Sequence, residues 1–546
     1  MAALLADDRQ SQAEIFKAMS TPDFYPHAVG AIEQRDTIIS KVFLTGEFAY
    51  KIKKPVNLEY LDFTTLAKRK HFCEQELILN RRLAPEVYLA VVAITLQKGR
   101  YQLAGEGTPL EYAVKMQQLP EERSMRSLMR RGKIGRESIE ALAHTLATFY
   151  RKGARGRKGL NLGSWQSVWT NAEENFRQTE PFVAEIINTR KFQIIRATTR
   201  AFLIRRKALF DRRNAKQKIK DCHGDLRTGH VYFTDGIKII DCIEFNDRFR
   251  YADVTSDLAF LAMDIDFEGN PEIAGHLIKA YVDETKDREL YILLDFYKCY
   301  RALVRTKVNC FRLKENSHTA QEKSRLLRKT GRYLDLSYQY AVQFTRPTIW
   351  VICGLPASGK STIARELAKI FKIRLLQSDV VRKELFGLQP VQPVVEPFAE
   401  GIYSKEASNH TYARLLLLAQ EEIEQSDSVI LDATYAGQRH RDGVLCLARD
   451  MDANIIFIEC IAPYQTLKQR LVEREKAVAT SDARLHHLKQ LRANFEPLTE
   501  LRDELHVRVE TNMPLNKSIR QILSHDHFSV SQQIAELMKN RLSETV

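Results

Sequence analysis

Two short stretches of the sequence carry the residue types that phosphate chemistry requires. In the first, CHGDLRTGHVYF places Asp225 in a loop before a predicted strand, and IIDCIEF places Asp241 at the end of the next strand. Phosphoryl transfer requires one carboxylate that orients an acceptor hydroxyl and takes its proton, and another that holds Mg²⁺ against the phosphates. Because only a short hairpin joins the two aspartates, we expect both to face one cleft.

A lysine on an early strand and a glutamate on the following helix complete this first predicted site. The stretch AYKIKK supplies Lys51, and CEQELILN supplies Glu76, with Glu74 as the weaker choice. A lysine in this position can reach the α- and β-phosphates of a nucleotide while the helix glutamate holds it. The segment YAVKMQQLP, which runs out of the predicted strands, suits the connection beside which an adenine would lie.

The second stretch, GLPASGKST, matches the phosphate-loop pattern G-x-x-x-x-G-K-[ST] in full and lies between an apolar strand, TIWVIC, and a helix, STIARELAKIF. Backbone N–H groups of such a loop and of the helix N-terminus bind phosphate. We expect Lys360 to contact the β- and γ-phosphates of ATP or GTP and the Ser361 hydroxyl to coordinate Mg²⁺. The predicted nucleotide-binding residues are Gly354, Leu355, Pro356, Ala357, Ser358, Gly359, Lys360, Ser361 and Thr362.

Charged residues that follow the next strands belong to this second predicted site. In QSDVVRKELFG, Asp379 is placed to activate an acceptor hydroxyl and Arg382 to clamp an anionic group; a helix cap and an exposed arginine are the alternatives. SVILDAT places Asp432 at a strand end, suited to a water-mediated Mg²⁺ contact. Arg470 and Arg474 lie four residues apart on one helix, either as lid residues over the transferred phosphate or as exposed charges.

The order of predicted elements divides the chain near Arg346. Before it, a small strand-rich lobe with a turn at Thr45–Gly46 precedes a large helical lobe, interrupted by one hairpin at Asp235–Gly236. After it, short apolar strands alternate with helices, which predicts a parallel sheet covered on both faces. We therefore expect two domains, a two-lobed α+β domain over 1–345 and an α/β domain over 346–546.

Composition narrows the class of protein and its partners. No apolar run approaches the roughly 20 residues of a membrane helix, and the N-terminus shows no signal peptide. The eight scattered cysteines indicate buried thiols of a reducing cytosol, so we expect a cytoplasmic protein.

The net charge of +14 lies wholly in residues 1–345, because residues 346–546 hold 26 basic and 26 acidic residues. Basic segments such as RKGARGRKG and FDRRNAKQKIK are solvated helix faces, or contacts for an anionic substrate or a nucleic acid.

Residues from about 30 to 345 resemble the aminoglycoside phosphotransferase family, relatives of the protein kinases. The resemblance rests on the HGD of His223, Gly224 and Asp225, on the IID that ends at Asp241, and on the later DVTSDLAFL. It implies a bilobal protein-kinase-like fold, with Asp225 as catalytic base and Asp241 as metal ligand. It does not fix the acceptor, because this fold phosphorylates many small hydroxyl compounds.

The sequence departs from that family at His230, where the family pattern places an asparagine as a second Mg²⁺ ligand. Mg²⁺ prefers hard oxygen ligands, whereas imidazole nitrogen suits softer metals. Three interpretations stay open: His230 orders Asp225 through a hydrogen bond in the loop, it is a ligand to Mn²⁺, or the site uses a single metal. A degenerate kinase that only binds nucleotide is a separate possibility.

Residues 348–510 are similar to small P-loop kinases, including gluconate kinases, zeta-toxin-like kinases and polynucleotide 5′-kinases. The phosphate loop, SDVVRKELFG, VILDAT, RLVER and SDAR carry this resemblance. The whole chain resembles bacterial fusions of an aminoglycoside phosphotransferase domain with a P-loop NTPase domain of kinase type, which implies ATP at both sites.

These observations predict a bifunctional phosphotransferase that moves the γ-phosphate of ATP to hydroxyls of small molecules, with Mg²⁺ at both sites or Mn²⁺ at the first. One alternative is a regulatory protein whose first half senses nucleotide and gates the second. Another is a nucleic-acid end kinase anchored by its basic first half, whose binding would fall steeply with salt. The sequence leaves the acceptors and the oligomeric state open.

Overall fold

The structure, a computed structural model, describes residues 11–154, 162–315, 318–394, 397, 399–475 and 484–543. Parts of the basic segment RKGARGRKG and of the SDAR motif lie outside these residues. Packing divides the chain into two compact units. The first contains the residues up to Thr285 together with Phe296–Tyr338, and the second contains Lys286–Asp295 together with the chain from Gln339 onward.

The first unit begins with a region of short strands. They are β1 Glu33–Asp36, β2 Ser40–Leu44, β3 Phe48–Lys53, β4 Asn57–Leu58, β5 Leu61–Asp62, β6 Tyr88–Gln97, β7 Arg100–Leu103 and β8 Pro109–Gln117. Six of them form an antiparallel sheet in the order β1-β2-β3-β8-β6-β7. The predicted turn at Thr45–Gly46 joins β2 to β3, and Gly46 has the positive φ of 94° that such a tight turn requires. Helix α1, Leu66–Asn80, packs on β8 and β6.

The rest of the first unit is helical, apart from two small antiparallel pairs of strands. These pairs are β9 Ile219–Asp221 with β12 Tyr251–Asp253, and β10 Val231–Thr234 with β11 Gly236–Ile239, which is the predicted hairpin. The helices are α2 Met125–Arg130, α3 Arg136–Lys152, α4 Trp165–Thr179, α5 Thr189–Arg205, α6 Lys207–Ala215, α7 Asp247–Arg250, α8 Val254–Phe267, α9 Pro271–Thr285, α10 Leu290–Leu313 and α11 Ala320–Thr345. The start of α10, up to Asp295, and the end of α11, from Gln339, belong to the second unit. Every residue of α8 from Val254 to Ile265 is buried, so α8 is the central helix of this lobe.

The second unit is built on a parallel sheet of five strands, as the alternating pattern predicted. The strands are β13 Thr348–Cys353, β14 Arg374–Gln377, β15 Val429–Asp432, β16 Asn454–Ile461 and β17 His506–Glu510. Their order in the sheet is β14-β15-β13-β16-β17. The helices are α12 Lys360–Phe371, α13 Ser378–Leu385, α14 Lys405–Glu424, α15 Gln438–Asp450, α16 Tyr464–Glu475, α17 Leu488–Ala493 and α18 Leu515–Ser543. Side chains on the two faces of the sheet form two separate apolar cores.

The predicted fold class is therefore confirmed: a kinase-like α+β body with an antiparallel sheet precedes an α/β unit with a parallel sheet of the P-loop NTPase type. Within the described part of the chain, no helix is long and apolar enough to cross a membrane. Seven of the eight cysteines are buried, and Cys446 is exposed.

Candidate functional site

The first candidate site contains a lysine held between two carboxylates, of which the sequence predicted Glu76 as its partner. Lys51 lies on β3, and its Nζ is 2.8 Å from Oε1 of Glu76 on α1 and 2.6 Å from Oδ1 of Asp241, which follows β11. Burial opposes a charged Lys51, but Asp241 and Glu76 outweigh it and raise the pKa of this lysine. Glu74, the weaker candidate, is instead exposed and lies 3.9 Å from Lys70.

A second lysine, which the sequence reasoning missed, reinforces this arrangement. Lys53 is fully buried, donates to Oε2 of Glu76 at 2.8 Å, and also forms an ion pair with Glu244. The signal was present in the sequence, because residues two apart on a strand point to the same face. Glu76 thus binds one lysine with each carboxylate oxygen, and this pairing fixes the position of α1 relative to β3.

The HGD loop is held in place by the central helix α8. Asp257 on α8 accepts hydrogen bonds from the backbone N–H groups of His223 at 2.6 Å and Gly224 at 2.8 Å. Burial lowers the pKa of His223 to about 4, so its ring is neutral. The ring contacts the carbonyl oxygen of Ile240 through Nε2 at 2.9 Å and accepts from the Asp225 N–H through Nδ1 at 3.3 Å. The loop is therefore rigid immediately before Asp225.

Asp225 is bound by an arginine two residues later. Arg227 donates from Nε to Oδ1 at 3.0 Å and from Nη2 to Oδ2 at 2.8 Å, a bidentate ion pair. Burial opposes the charged carboxylate, but Arg227 and His230 outweigh it and lower the pKa of Asp225. The ionised carboxylate is the form that a proton acceptor needs, although in this state Arg227 occupies both of its oxygens.

His230 occupies a position that fits both a hydrogen-bonding role and a ligand role. Its Nδ1 contacts the backbone oxygen of Asp225 at 2.9 Å, and its Nε2 lies 2.8 Å from Nη2 of Arg227. Burial, with a contribution from Arg227, lowers the pKa of His230, which favours the neutral imidazole that can bind a metal. One ligand atom each from Asp225, His230 and Asp241 lies within 4.8 Å of the others. Two carboxylates and an imidazole suit a divalent cation such as Mn²⁺.

The second candidate site is the loop between β13 and α12. Gly354 and Gly359 have φ values of 127° and 91°, and a Cβ at Gly354 would lie only 2.4 Å from the carbonyl oxygen of Cys460. The Nζ of Lys360 donates to the carbonyl oxygen of Leu355, within the same loop, at 2.8 Å. The Oγ of Ser358 is buried and has no hydrogen-bond partner among the described residues. The loop therefore presents a lysine and a free hydroxyl, which fit a phosphate group.

Two predicted carboxylates and one predicted arginine surround this loop. Asp432 is buried at the end of β15 and accepts from Nε2 of Gln377 at 2.9 Å. Asp379 lies in the first turn of α13. Burial lowers the pKa of Arg474, and the nearby Asp379 and Asp432 partly offset this effect; the same two carboxylates also act on Lys360. The structure thus brings Lys360, Asp379, Asp432 and Arg474 together.

The other two predicted arginines bond to carbonyl groups of the protein. Arg382 donates from Nη1 to the carbonyl oxygen of Ile402 at 2.9 Å. Arg470 donates to the carbonyl oxygens of Ala357 at 3.2 Å and Thr511 at 2.8 Å, which ties α16 to the phosphate loop. Their clamp and lid roles therefore stay predictions.

A cavity of about 470 Å³ opens beside the phosphate loop. Its lining includes Gly359, Thr362, Arg474, Thr511 and Met513. The sequence reasoning missed Thr511 and the loop after β17, because they carry no recognisable motif. This cavity adjoins the loop where a nucleoside attached to the bound phosphates would lie.

Two segments of the chain match known families. Residues 69–291 match the family model described as "Phosphotransferase enzyme family", and residues 349–498 match the one described as "AAA domain". One chain joins a phosphotransferase domain to a P-loop domain of kinase type. The first match contains Glu76, Asp225 and Asp241, and the second contains the whole phosphate loop.

The individual proteins to which the chain is similar have low sequence identity with it. An uncharacterized protein of Mycobacterium tuberculosis strain H37Rv is 29% identical over 453 residues, which are 83% of this chain and 88% of that protein. A choline/ethanolamine kinase family protein from Mesorhizobium loti is 12% identical, with a TM-score of 0.34, over 60% of this chain and 99% of its own. A gluconokinase from Sinorhizobium meliloti is 17% identical, with a TM-score of 0.24, over 37% of this chain and 98% of its own.

Proposed function

We propose that the protein is a bifunctional ATP-dependent phosphotransferase, with one site in each unit that transfers the γ-phosphate of ATP to a hydroxyl of a small molecule. The observation that carries this proposal is the convergence of Lys51, Glu76, Asp225 and Asp241. These residues come from β3, α1, the HGD loop and the segment after β11, yet they meet in one cluster of charges. A purely structural ion-pair network would not require the metal-binding spacing of Asp225, His230 and Asp241.

At the first site, Asp225 takes the proton of the acceptor hydroxyl as its oxygen attacks the γ-phosphorus. The bond between that phosphorus and the β–γ bridging oxygen breaks, and ADP leaves with the bridging oxygen. Lys51, held by Glu76, neutralises charge on the α- and β-phosphates. A divalent cation bound by Asp241 and His230 would neutralise the charge of the transferred group.

At the second site, we assign the same tasks to residues at the ends of parallel strands. The backbone N–H groups of the phosphate loop and Lys360 bind the β- and γ-phosphates, and Asp379 takes the acceptor proton. Ser361 and Asp432 supply oxygen ligands for Mg²⁺. Arg474, which lies near Asp379 and Asp432, is placed to neutralise the transferred phosphate.

An unbiased search for products tests this function. The intact protein, its Asp225→Asn variant and its Lys360→Ala variant are each incubated with a metabolite extract and ATP labelled at the γ-phosphate. We expect labelled products from the intact protein, with one set missing from the first variant and a different set missing from the second. If the intact protein labels nothing beyond the no-enzyme control, the proposal is wrong.

One observation favours a second candidate function for the first unit. Arg227 engages both oxygens of Asp225, so the proposed base is blocked until that ion pair opens. A regulatory unit that binds nucleotide without turnover would have this property. Its ATP affinity would be the same in the intact protein and in the Asp225→Asn variant, and neither would form a labelled product. An active site, in contrast, would lose its product in the variant.

A further inference from the structure

Four cations lie within electrostatic range of Asp264, and two of them, Arg227 and Arg305, also act on Asp225. They are Arg126 on α2, Arg227 in the HGD loop, Arg305 on α10 and Lys329 on α11, and we call them the basic cluster. Sequence motifs identify none of these four, because they come from separate elements of the first unit. Their concentration beside the proposed base requires an explanation, since like charges repel one another.

The carboxylates of this region are already engaged by other groups. Asp225 is bound by Arg227 through both oxygens. Asp264 on α8 accepts from the N–H of Thr228 at 2.9 Å and from the hydroxyl of Tyr333 at 3.2 Å, and Nη2 of Arg126 lies 3.4 Å from it. Glu268 pairs with both Arg126 and Arg130. These carboxylates pair directly with Arg227 and Arg126, whereas Asp225 and Asp264 act on Arg305, and Asp264 on Lys329, only at longer range.

Arg305 and Lys329 have no carboxylate within ion-pair distance among the residues that the structure describes. The Nε of Arg305 is buried without a hydrogen-bond partner in the same described set. The Cζ of Arg305 lies 5.8 Å, and the Nζ of Lys329 6.0 Å, from the centre of the Tyr333 ring. The Nζ of Lys329 is also 6.0 Å from the Phe267 ring, which stacks on Tyr333. Both cations therefore lie beside the stacked pair of rings of Phe267 and Tyr333.

The electrostatic cost of this arrangement is visible in both residues. Burial, together with the neighbouring Arg305, lowers the pKa of Lys329 to about 8. Burial, together with Arg227, lowers the pKa of Arg305. Both side chains are half-buried, and a partly desolvated cation without a directly bonded carboxylate destabilises the folded protein. An anionic group bound beside them would remove this cost.

We propose that the acceptor of the first site carries an anionic oxygen group, a phosphate or a carboxylate, that binds Arg305 and Lys329 and so brings its hydroxyl to Asp225. This inference rests on the proposed phosphotransfer function and names the substrate class of that site. The same anion also attracts the guanidinium of Arg227, which frees the oxygens of Asp225 for the acceptor proton. Arg227 is thus a positioning residue that couples acceptor binding to release of the base.

Different residues carry the nucleotide site and the proposed anion site. Asp241 and His230 connect Asp225 to Lys51, which is the lysine assigned to the nucleotide phosphates. Arg227 contacts both Asp225 and His230, and it also acts on Asp264 and Arg305. An anion bound at Arg305 and Lys329 is therefore a second ligand, and not the nucleotide already assigned to Lys51.

Matched acceptors test this inference on the full chain carrying Lys360→Ala, so that transfer by the second unit is suppressed. Transfer from ATP is measured with glucose 6-phosphate and gluconate, which distinguish phosphate from carboxylate, and with glucose and ethanolamine as uncharged and cationic counterparts. We expect an anionic acceptor to be preferred. Lys329→Met and Arg305→Met should each raise its KM by about 10- to 100-fold without changing the KM for ATP. Lys323→Met, exposed on the same helix as Lys329, should change neither value.

Equilibrium binding of the same four compounds to the Asp225→Asn variant, which lacks the proposed base, tests the anion site separately from the phosphotransfer function. Anion binding that is lost in the methionine variants, without any transfer by the parent protein, supports the anion site and contradicts the phosphotransfer function. Transfer that prefers glucose or ethanolamine supports the function and overturns the anion site. Absence of anion binding, or variants that raise only the KM for ATP, also overturns the anion site.

Discussion

The two candidate phosphate sites are built in different ways. The second site is one continuous loop, in which Gly354 and Gly359 adopt backbone conformations that bring N–H groups together, and a single lysine from the same loop completes it. The first site is assembled from side chains on separate strands, helices and loops, and Asp257 on α8 holds its central loop. Local backbone geometry positions the groups of the second site, whereas the packing of a whole lobe positions those of the first.

The charges of the two sites differ in the same way. In the first, Lys51 is paired with Asp241 and Glu76, and Asp225 is paired with Arg227. In the second, Lys360 donates to a neutral carbonyl in its own loop and forms no ion pair within 4 Å among the residues that the structure describes, and burial lowers its pKa. A ligand of the first site must therefore rearrange existing ion pairs, whereas a phosphate at the second site displaces one neutral hydrogen bond.

The largest expected effect is loss of the base at the first site. Asp225→Asn should lower transfer by that site by about 10²- to 10⁴-fold, because the amide cannot take the acceptor proton. Nucleotide affinity should stay unchanged, since Lys51 and Asp241 are intact. Steady-state kinetics with an acceptor found in the product search measures this effect, and Asp235→Asn, exposed in the hairpin turn, is the matched control. Full activity of Asp225→Asn would contradict the assignment of Asp225 as base and would show that the first site uses no side-chain base at this position.

At the second site, loss of Lys360 should be nearly as severe. Lys360→Ala should lower ATP turnover by that site by about 10²-fold, because the loop contains no other cation to replace it. Products of the first site should form at the normal rate. Lys369→Ala, exposed on the same helix, is the control for nonspecific effects. If Lys360→Ala also abolishes the products of the first site, the two sites are not independent and the comparison fails.

The stability of the second unit should depend on pH, because Asp295 and Asp526 lie close together in it. Burial, with a contribution from Asp295, raises the pKa of Asp526 to about 7. The folded state then retains a proton that the unfolded state releases, so stability falls as pH rises from about 4 to 7.

Asp526→Asn removes this penalty. It should stabilise the protein at pH 8 by about 2 kcal/mol, since one pKa unit corresponds to about 1.4 kcal/mol and partial exposure reduces the effect. Denaturant unfolding at pH 5 and pH 8 measures the difference, with the exposed Asp427→Asn as control. Equal effects of Asp526→Asn at both pH values would contradict the assignment.

The smallest expected effect concerns the metal preference of the first site. His230→Asn should shift the first site from Mn²⁺ toward Mg²⁺ by about tenfold, because an amide oxygen replaces an imidazole nitrogen among the ligands. Metal titrations of transfer by the first site measure the shift, and His71→Asn, exposed on α1, should leave the titrations unchanged. Identical titrations for the parent and His230→Asn would leave His230 only its hydrogen-bonding role in the loop.

The same contrast explains which features could be predicted from sequence. The phosphate loop is contiguous, so GLPASGKST identified it without a structure. Lys51, Glu76, Asp225 and Asp241 were predicted because each lies in a short motif, although only the fold brings them within contact distance.

Other features depend on packing between distant segments, and no local pattern could indicate them. The position of Lys329 beside Arg305, and the hydrogen bonds from the HGD loop to Asp257 on α8, are of this kind. The first part of the last helix, α18, which begins at Leu515, is another example. That stretch packs Ile519, Ile522 and Leu523 into the core, and this context overrides its weak local signal.

The central claim is that one chain holds two separate ATP sites of different construction. Equilibrium binding of ATP, with Mg²⁺ or Mn²⁺ present, tests it most directly when the stoichiometry is compared among the intact protein, Lys51→Met, Lys360→Ala and the double variant. The account predicts two ATP molecules per chain for the intact protein, one for each single variant and none for the double variant. One ATP per intact chain, or loss of both by a single substitution, would contradict it.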